Sequence, residues 1–237
     1  MAKFNRIVVL TGSGVSAESG VSTFRDADGV WSKVDYREVA TPEGFAANPK
    51  LVHEFYNTRR RGLRSVNPNA AHFALAELEE VLAKRGGALT LVTQNVDDLH
   101  EKAGVKKLFH MHGELKKASC NDCGVVMNWD EDLSVETGCP TCNRIGGLRP
   151  YVVWFGETPR YMEDALDAIM SADLFVSIGT SGSVYPAAGF VSEARALGVP
   201  ATELNLEPSE NASLFTNSHY GPATQIVPAW VRDMLAD

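Results

Sequence analysis

The chain has 237 residues, 44% of them hydrophobic and 22% charged, enough to bury one sizeable α/β core with a small insertion or two modest domains. Its 22 basic residues against 30 acidic ones leave a net charge of −8, which argues against general attraction to nucleic acid or to an anionic membrane surface. The first residues run at once into the apolar Ile7-Val8-Val9-Leu10, too short for a signal core. No stretch reaches the roughly 18 apolar residues of a membrane span, so a cytoplasmic protein is expected.

Residues 7–10 read as a buried strand. The turn behind them, Thr11-Gly12-Ser13-Gly14-Val15-Ser16-Ala17-Glu18-Ser19-Gly20, lacks Cβ atoms at Gly12 and Gly14, which lets backbone N–H groups approach a diphosphate at a helix N-terminus. A lone Gly-x-Gly is a weak signal. An ordinary dinucleotide fold would end its second strand in an acidic residue about 20 positions on. Here that stretch is Thr23-Phe24-Arg25-Asp26-Ala27-Asp28-Gly29-Val30-Trp31 with no strand before it, so the usual fingerprint is broken.

Residues 35–75 form a helical, polar excursion. Within it, the spacing of Tyr56 and Arg59 puts a hydroxyl and a guanidinium on one helix face, a pair that can grip a carboxylate. A helical pattern over 70–82 leads to apolar strands at 89–92 and 108–112. Gln94, Asn95 and Asp97 follow the first of these, offering donors and acceptors that suit a carboxamide and ribose hydroxyls, or alternatively Asx-turn and capping chemistry. His110 and His112 close the second, and alternation places both on the same face, so spacing does not choose between them.

All four cysteines lie in one short stretch, Cys120-x-x-Cys123 and Cys139-x-x-Cys142, each pair on a knuckle beside Gly124 or Pro140. The spacing fits a tetrahedral zinc ribbon better than two disulfides, and four protein ligands leave no open position for substrate, so a structural zinc is expected over about 116–148. Further apolar runs at 152–155, 174–178 and 202–206 read as strands, and 161–170, 187–197 and 229–235 as helices. The economical fold is α/β, a Rossmann-like parallel sheet with helices on both faces. Residues 1–34, 76–115 and 149–237 form its nucleotide-binding domain, and 35–75 with 116–148 pack as a smaller helical and zinc-binding lobe.

In order along the chain, Gly12-Ser13-Gly14-Val15-Ser16, Thr93-Gln94-Asn95-Val96-Asp97, His110-Met111-His112-Gly113, the four cysteines, Gly179-Thr180-Ser181 and Asn205-Leu206-Glu207 together resemble the sirtuins, NAD-dependent protein lysine deacylases. Ser13 departs from the family's usual alanine. The resemblance implies NAD consumed as co-substrate, with free lysine, nicotinamide and an O-acyl-ADP-ribose as products. It implies His112 as general base, with Asn95 assisting, and His110 as structural. It implies cofactor contacts from Gly12, Ser13, Gly14, Ser16, Ala17, Glu18, Phe24, Arg25, Trp31, Gln94, Asn95, Asp97, Gly179, Thr180, Ser181, Asn205, Leu206, Glu207 and Ala223. The substrate, an acylated lysine on another protein, would enter as an extended strand between Val153, Phe155, Gly156 and Glu157 on one side and Val184 on the other. Tyr56 and Arg59 look like the signature of sirtuins that favour succinyl, malonyl or glutaryl groups, with acetyl still processed. A monomer without nucleic-acid or membrane partners is expected. Protein ADP-ribosyl transfer is the nearest alternative, and an NAD-dependent dehydrogenase or a zinc-ribbon binding module stand further off.

Overall fold

The computed structural model describes residues 4–22 and 34–236. Six parallel strands form the main sheet: β1 (Arg6–Thr11), β2 (Ala88–Thr93), β3 (Leu108–His110), β7 (Leu174–Ile178), β8 (Ala201–Asn205) and β9 (Asn217–Tyr220), in the order β3-β2-β1-β7-β8-β9. Between β3 and β7 the chain makes a second, antiparallel sheet from β4 (Gly113–Cys120), β5 (Val126–Asn128) and β6 (Leu148–Val152), in the order β5-β4-β6.

Strand alternation gives the main sheet two apolar faces. Ile7, Val9, Leu89, Leu91, Leu174 and Val176 point to one, where α4 (Ala70–Lys84) and α8 (Ala223–Ala236) cover them. Val8, Leu10, Val92 and Phe175 point to the other, under α6 (Met162–Met170) and α7 (Phe190–Ala196). The expectation of a parallel sheet with helices on both faces therefore holds. The order reverses between β1 and β7, and such a switch point opens a crevice at the carboxyl ends of the two strands, where open α/β sheets bind ligands.

The polar excursion resolves into α1 (Tyr36–Val39), α2 (Pro42–Ala47) and α3 (Pro49–Gly62), with α5 (Leu99–Ala103) coming after β2. Thr41 caps α2 by accepting from Gly44 N, and Asn48 caps α3 by accepting from Leu51 N, each succeeded by a proline whose missing N–H costs the first turn nothing. The excursion ends before residue 70 rather than at 75, because Ala71, Ala74 and Leu75 of α4 already belong to the main core.

Residues 152–155 are a correction. The apolar run is not a strand of the parallel sheet: β6 stops at Val152, pairs antiparallel with β4, and hands over to a turn. Its indole, Trp154, packs with Val39, Val52, Phe55, Tyr56 and Leu115 in a core of the smaller lobe.

The two insertions are bolted together through α3. Asn57, 4% exposed, donates from Nδ2 to Leu133 O at 2.8 Å and accepts from Leu133 N at 2.9 Å. Arg60, 1% exposed, donates from Nη1 to Asn57 Oδ1 at 2.8 Å and from Nε to Leu115 O at 2.9 Å. Burial holds the Arg60 guanidinium down to about 10. Asn57→Ala strands both backbone groups of Leu133 and leaves Arg60 Nη1 only its longer bond to Glu131 O, at 3.3 Å. The expected loss is about 2–4 kcal/mol of stability, read as a lower midpoint in thermal or denaturant unfolding.

Candidate functional site

Among the described residues, every motif singled out from the sequence, apart from the cysteines and the Tyr56–Arg59 pair, lies at or beyond the carboxyl end of a sheet strand. Gly12 to Ser16 come after β1, Gln94 to Asp97 after β2, His110 ends β3 and His112 lies just beyond it, Gly179 to Ser181 come after β7, and Asn205 closes β8 ahead of Leu206 and Glu207. Their convergence is a consequence of parallel strands sharing one direction. Phe24, Arg25 and Trp31 lie outside the described residues.

The glycines have a different local cause from the one spacing suggests. Gly12 N donates to Ile178 O and Gly14 N to Gly179 O, both at 2.9 Å, so these two N–H groups are spent on the neighbouring turn. A Cβ on Gly14 would sit 2.7 Å from Gly179 Cα, and Gly179 itself is left-handed at φ +62. The glycines thus let two strand ends meet backbone to backbone at the switch point. The chain then makes two short 3-10 turns, Ser13–Val15 and Ala17–Ser19, rather than an α-helix. On these turns Ser13 is half-buried and Ala17 exposed.

Beneath them lies a buried polar net. Ser16 Oγ donates to Asp97 Oδ2 at 3.1 Å and accepts from Asn95 Nδ2 at 3.1 Å, while Asn95 Nδ2 also reaches Gly12 O at 3.1 Å. Asp97 Oδ1 accepts from Leu99 N. Burial raises the pKa of Asp97, against the pull of those two donors. His72 and His100, which no sequence signal connects to this site, complete the net: His72 Nε2 is 3.4 Å from Ser16 Oγ, and His100 Nε2 is 3.1 Å from Thr11 Oγ1. Burial pushes His72 down to about 4 and His100 well below an ordinary histidine, so both are neutral hydrogen-bonding groups.

The two histidines that spacing left equivalent are separated by their partners. The Nδ1 of His110 is 3.1 Å from Asn95 O and its Nε2 is 2.7 Å from Glu101 Oε1. A carbonyl and a carboxylate both accept, so both ring nitrogens donate and the ring is an imidazolium. Burial pulls its pKa down, but the Glu101 carboxylate outweighs that and the pKa is raised. His112 lies past the end of β3, with Nδ1 donating to Gln94 O at 3.1 Å. That bond fixes the neutral tautomer and leaves the lone pair on Nε2, to which no described residue is bonded. Burial lowers its pKa, keeping the ring neutral. His112 can take up a proton; His110 cannot.

The Gln94 side-chain amide, also without a partner among the described residues, lines a hollow with Leu10, Ser177, Thr180, Gly182 and Asn211. Val184 faces the same hollow. Thr180 is tied to Ser177 at 2.9 Å and Ser181 to Ser183 at 2.7 Å. Asn205 Nδ2 donates to Thr180 O at 2.8 Å, which stitches β8 to the turn after β7, while Leu206 and Glu207 stand exposed beyond it. The Glu18 carboxylate is engaged by Thr224 N at 2.9 Å and Thr224 Oγ1 at 2.7 Å, beside Ala223 at the start of α8.

Past the end of β6, Val153 N donates to His112 O at 2.8 Å and Phe155 N to Ala40 O at 2.9 Å, which fastens the turn through Gly156 and Glu157 to the ends of β3 and α1. Glu157 makes a two-pronged ion pair with Arg149, at 2.6 and 2.9 Å. Tyr56 is 3% exposed and Arg59 half-buried on α3, with the guanidinium 5.9 Å from the Tyr56 ring centre and 5.6 Å from that of Phe55. Burial pushes the Tyr56 phenol up to about 12 and holds Arg59 below its ordinary value.

The four cysteine sulfurs lie within 4.8 Å of one another, with Cys120 and Cys142 3.7 Å apart and Cys123 and Cys139 3.8 Å apart. Sulfurs about 2.3 Å from a common tetrahedral zinc are about 3.8 Å apart, whereas a disulfide brings them to about 2.05 Å. The cluster fits one zinc ion, closed by four thiolates and structural.

Comparison with known proteins agrees with this geometry. The Sir2 family model matches residues 12–186. An NAD-dependent protein deacylase of Caulobacter vibrioides is 61% identical over 231 residues, covering 98% of this chain and 97% of the relative. Another of Pasteurella multocida is 55% identical over 237 residues, covering 99% and 100%. Among solved structures, a Sir2 homologue mutant in complex with ADP-ribose matches with TM-score 0.90 at 35% identity, over 98% of this chain and 93% of that one. A Sir2 protein bound to an acetylated peptide matches with TM-score 0.82 at 27% identity, over 97% and 93%.

Proposed function

The chain belongs to the Sir2 family, and from that premise we propose that it is an NAD-dependent protein lysine deacylase that removes acidic acyl groups such as succinyl and malonyl as well as acetyl. The observation that carries the reading is His112, a neutral imidazole with a bare Nε2, tied through Nδ1 to the backbone of Gln94, a residue that lines the hollow at the carboxyl ends of the strands. In this reading residues 35–69 and 116–148 form the smaller lobe, and the substrates meet between it and the sheet.

NAD supplies an electrophilic ribose carbon and nicotinamide as the leaving group. The chain supplies orientation and one proton acceptor. Gln94, Asn95 and Asp97 offer an amide, a second amide and a carboxylate to the nicotinamide ribose, the last two held by the Ser16 net so that little order is lost on binding. His112 Nε2 takes a proton from a ribose hydroxyl, and the Gln94 carbonyl stabilises the imidazolium that results. The turn from Val153 to Glu157 and the segment around Val184 hold the peptide as an added strand. Tyr56 and Arg59 meet the acid end of the acyl group.

The test uses succinyl- and acetyl-lysine peptides with NAD. Nicotinamide is released only when acylated peptide is present, and a reaction that runs as well without NAD sinks the proposal. Arg59→Met is expected to lower kcat/KM on the succinyl peptide by roughly 10- to 100-fold relative to acetyl, since a charge-assisted contact is worth about 1.5–3 kcal/mol. An unchanged ratio removes the acid preference.

A further inference from the structure

Resting on that reading of the acyl pocket, we infer that Trp154 sets the preference for acidic acyl groups by aiming the Tyr56 hydroxyl. Trp154 Nε1 donates to Tyr56 Oη at 3.0 Å, a buried bond between residues 98 positions apart. A phenol oxygen has one proton to give and two lone pairs. The indole N–H occupies a lone pair, so the phenol proton is free to be turned elsewhere. Among the described residues no acceptor takes that proton, although Tyr56 is 3% exposed. A buried donor without an acceptor is costly unless a ligand supplies one, and a carboxylate beside Arg59 would do so.

The indole can act as a pointer because it is itself fixed. Trp154 is 2% exposed, and the Arg149 guanidinium stacks on its ring at 3.4 Å. The same guanidinium pairs with both oxygens of Glu157, and Glu157 Oε2 accepts from Trp154 N at 2.9 Å. Phe45 packs against the ring from α2, 5.2 Å between centres. The turn that grips the peptide main chain therefore also orients the hydroxyl that reads the acyl end. Trp154 is a positioning residue, since it acts through the Tyr56 hydroxyl.

Trp154→Phe keeps an aromatic ring and removes the N–H. The succinyl/acetyl ratio of kcat/KM is expected to fall about 10-fold, mainly through KM, because the lost contact is already made in the ground state. In a Tyr56→Phe background the same change is expected to lower the ratio no further, as the hydroxyl it aims is gone. Should Trp154→Phe fail to fold, 3-benzothienylalanine at position 154 keeps the indole outline without the N–H. The inference is overturned by equal losses on both peptides, by an undiminished effect in the Tyr56→Phe background, or by no effect at all. Arg59→Met, run alongside, separates the two failures. If it lowers the ratio while Trp154→Phe does not, only the pointing role falls; if it too leaves the ratio unchanged, the acidic pocket falls with it.

Discussion

His112→Ala is expected to lower kcat by about 100- to 10,000-fold, the usual contribution of a positioned general base, with the zinc content and the unfolding midpoint little altered. The sign of the pH dependence comes from the same geometry. Burial lowers the His112 pKa, and only the neutral ring can accept a proton, so the rate falls as pH drops through that lowered value. The acid limb of kcat/KM should therefore sit below 6.5, the ordinary histidine value, and be missing in the alanine variant. His110→Ala makes the contrast. It removes an imidazolium whose charge is matched by Glu101, so its loss should appear through the position of Asn95 and not through the acid limb. An acid limb that disappears with His110 and survives without His112 would reverse the assignment.

Cys139→Ser is expected to release the zinc and unfold the smaller lobe, leaving activity at background. Zinc in such closed sites supplies folding free energy outright, on the order of 10 kcal/mol in small zinc modules. Here Cys120 and Cys139 are part of the apolar cluster that includes Ala118, Leu133 and Leu148, so losing the ion also uncovers that cluster. Leu133 is the residue that Asn57 grips, which carries the damage into α3 and on to Tyr56 and Arg59. A chromogenic chelator should count one zinc per chain in the wild type and none in the variant. Circular dichroism should keep the helical signal of the main sheet's cover while the thermal transition broadens or moves down. Full activity in a zinc-free variant would show that the ribbon is dispensable.

The main sheet was legible because its strands are continuous apolar runs, such as Ile7 to Leu10 and the LFVSI of β7, which only a sheet covered on both faces can bury. β9 was not, since Asn217 to Tyr220 is exposed throughout, as a short edge strand is free to be. The run at 152–155 misled for the opposite reason. Its apolar residues serve a small second core, and periodicity cannot tell which core an apolar residue joins. The candidate site was found through its motifs, but their physics was only half visible. Gly12 and Gly14 announced a close approach and not its object, which is the backbone of Gly179. His110 and His112 share a spacing, and only the Glu101 carboxylate, brought in by α5, leaves one charged and the other neutral. His72 and His100 left no trace at all, because each enters the polar net from a helix whose pattern is fully explained by packing and capping.

The clasp between Glu18 and Thr224 links positions 206 residues apart. It ties the 3-10 turn that carries Glu18 to the first turn of α8, two elements far apart in the chain. Local opening of α8 and exposure of the turn should therefore be linked, and amide hydrogen exchange would register the two together.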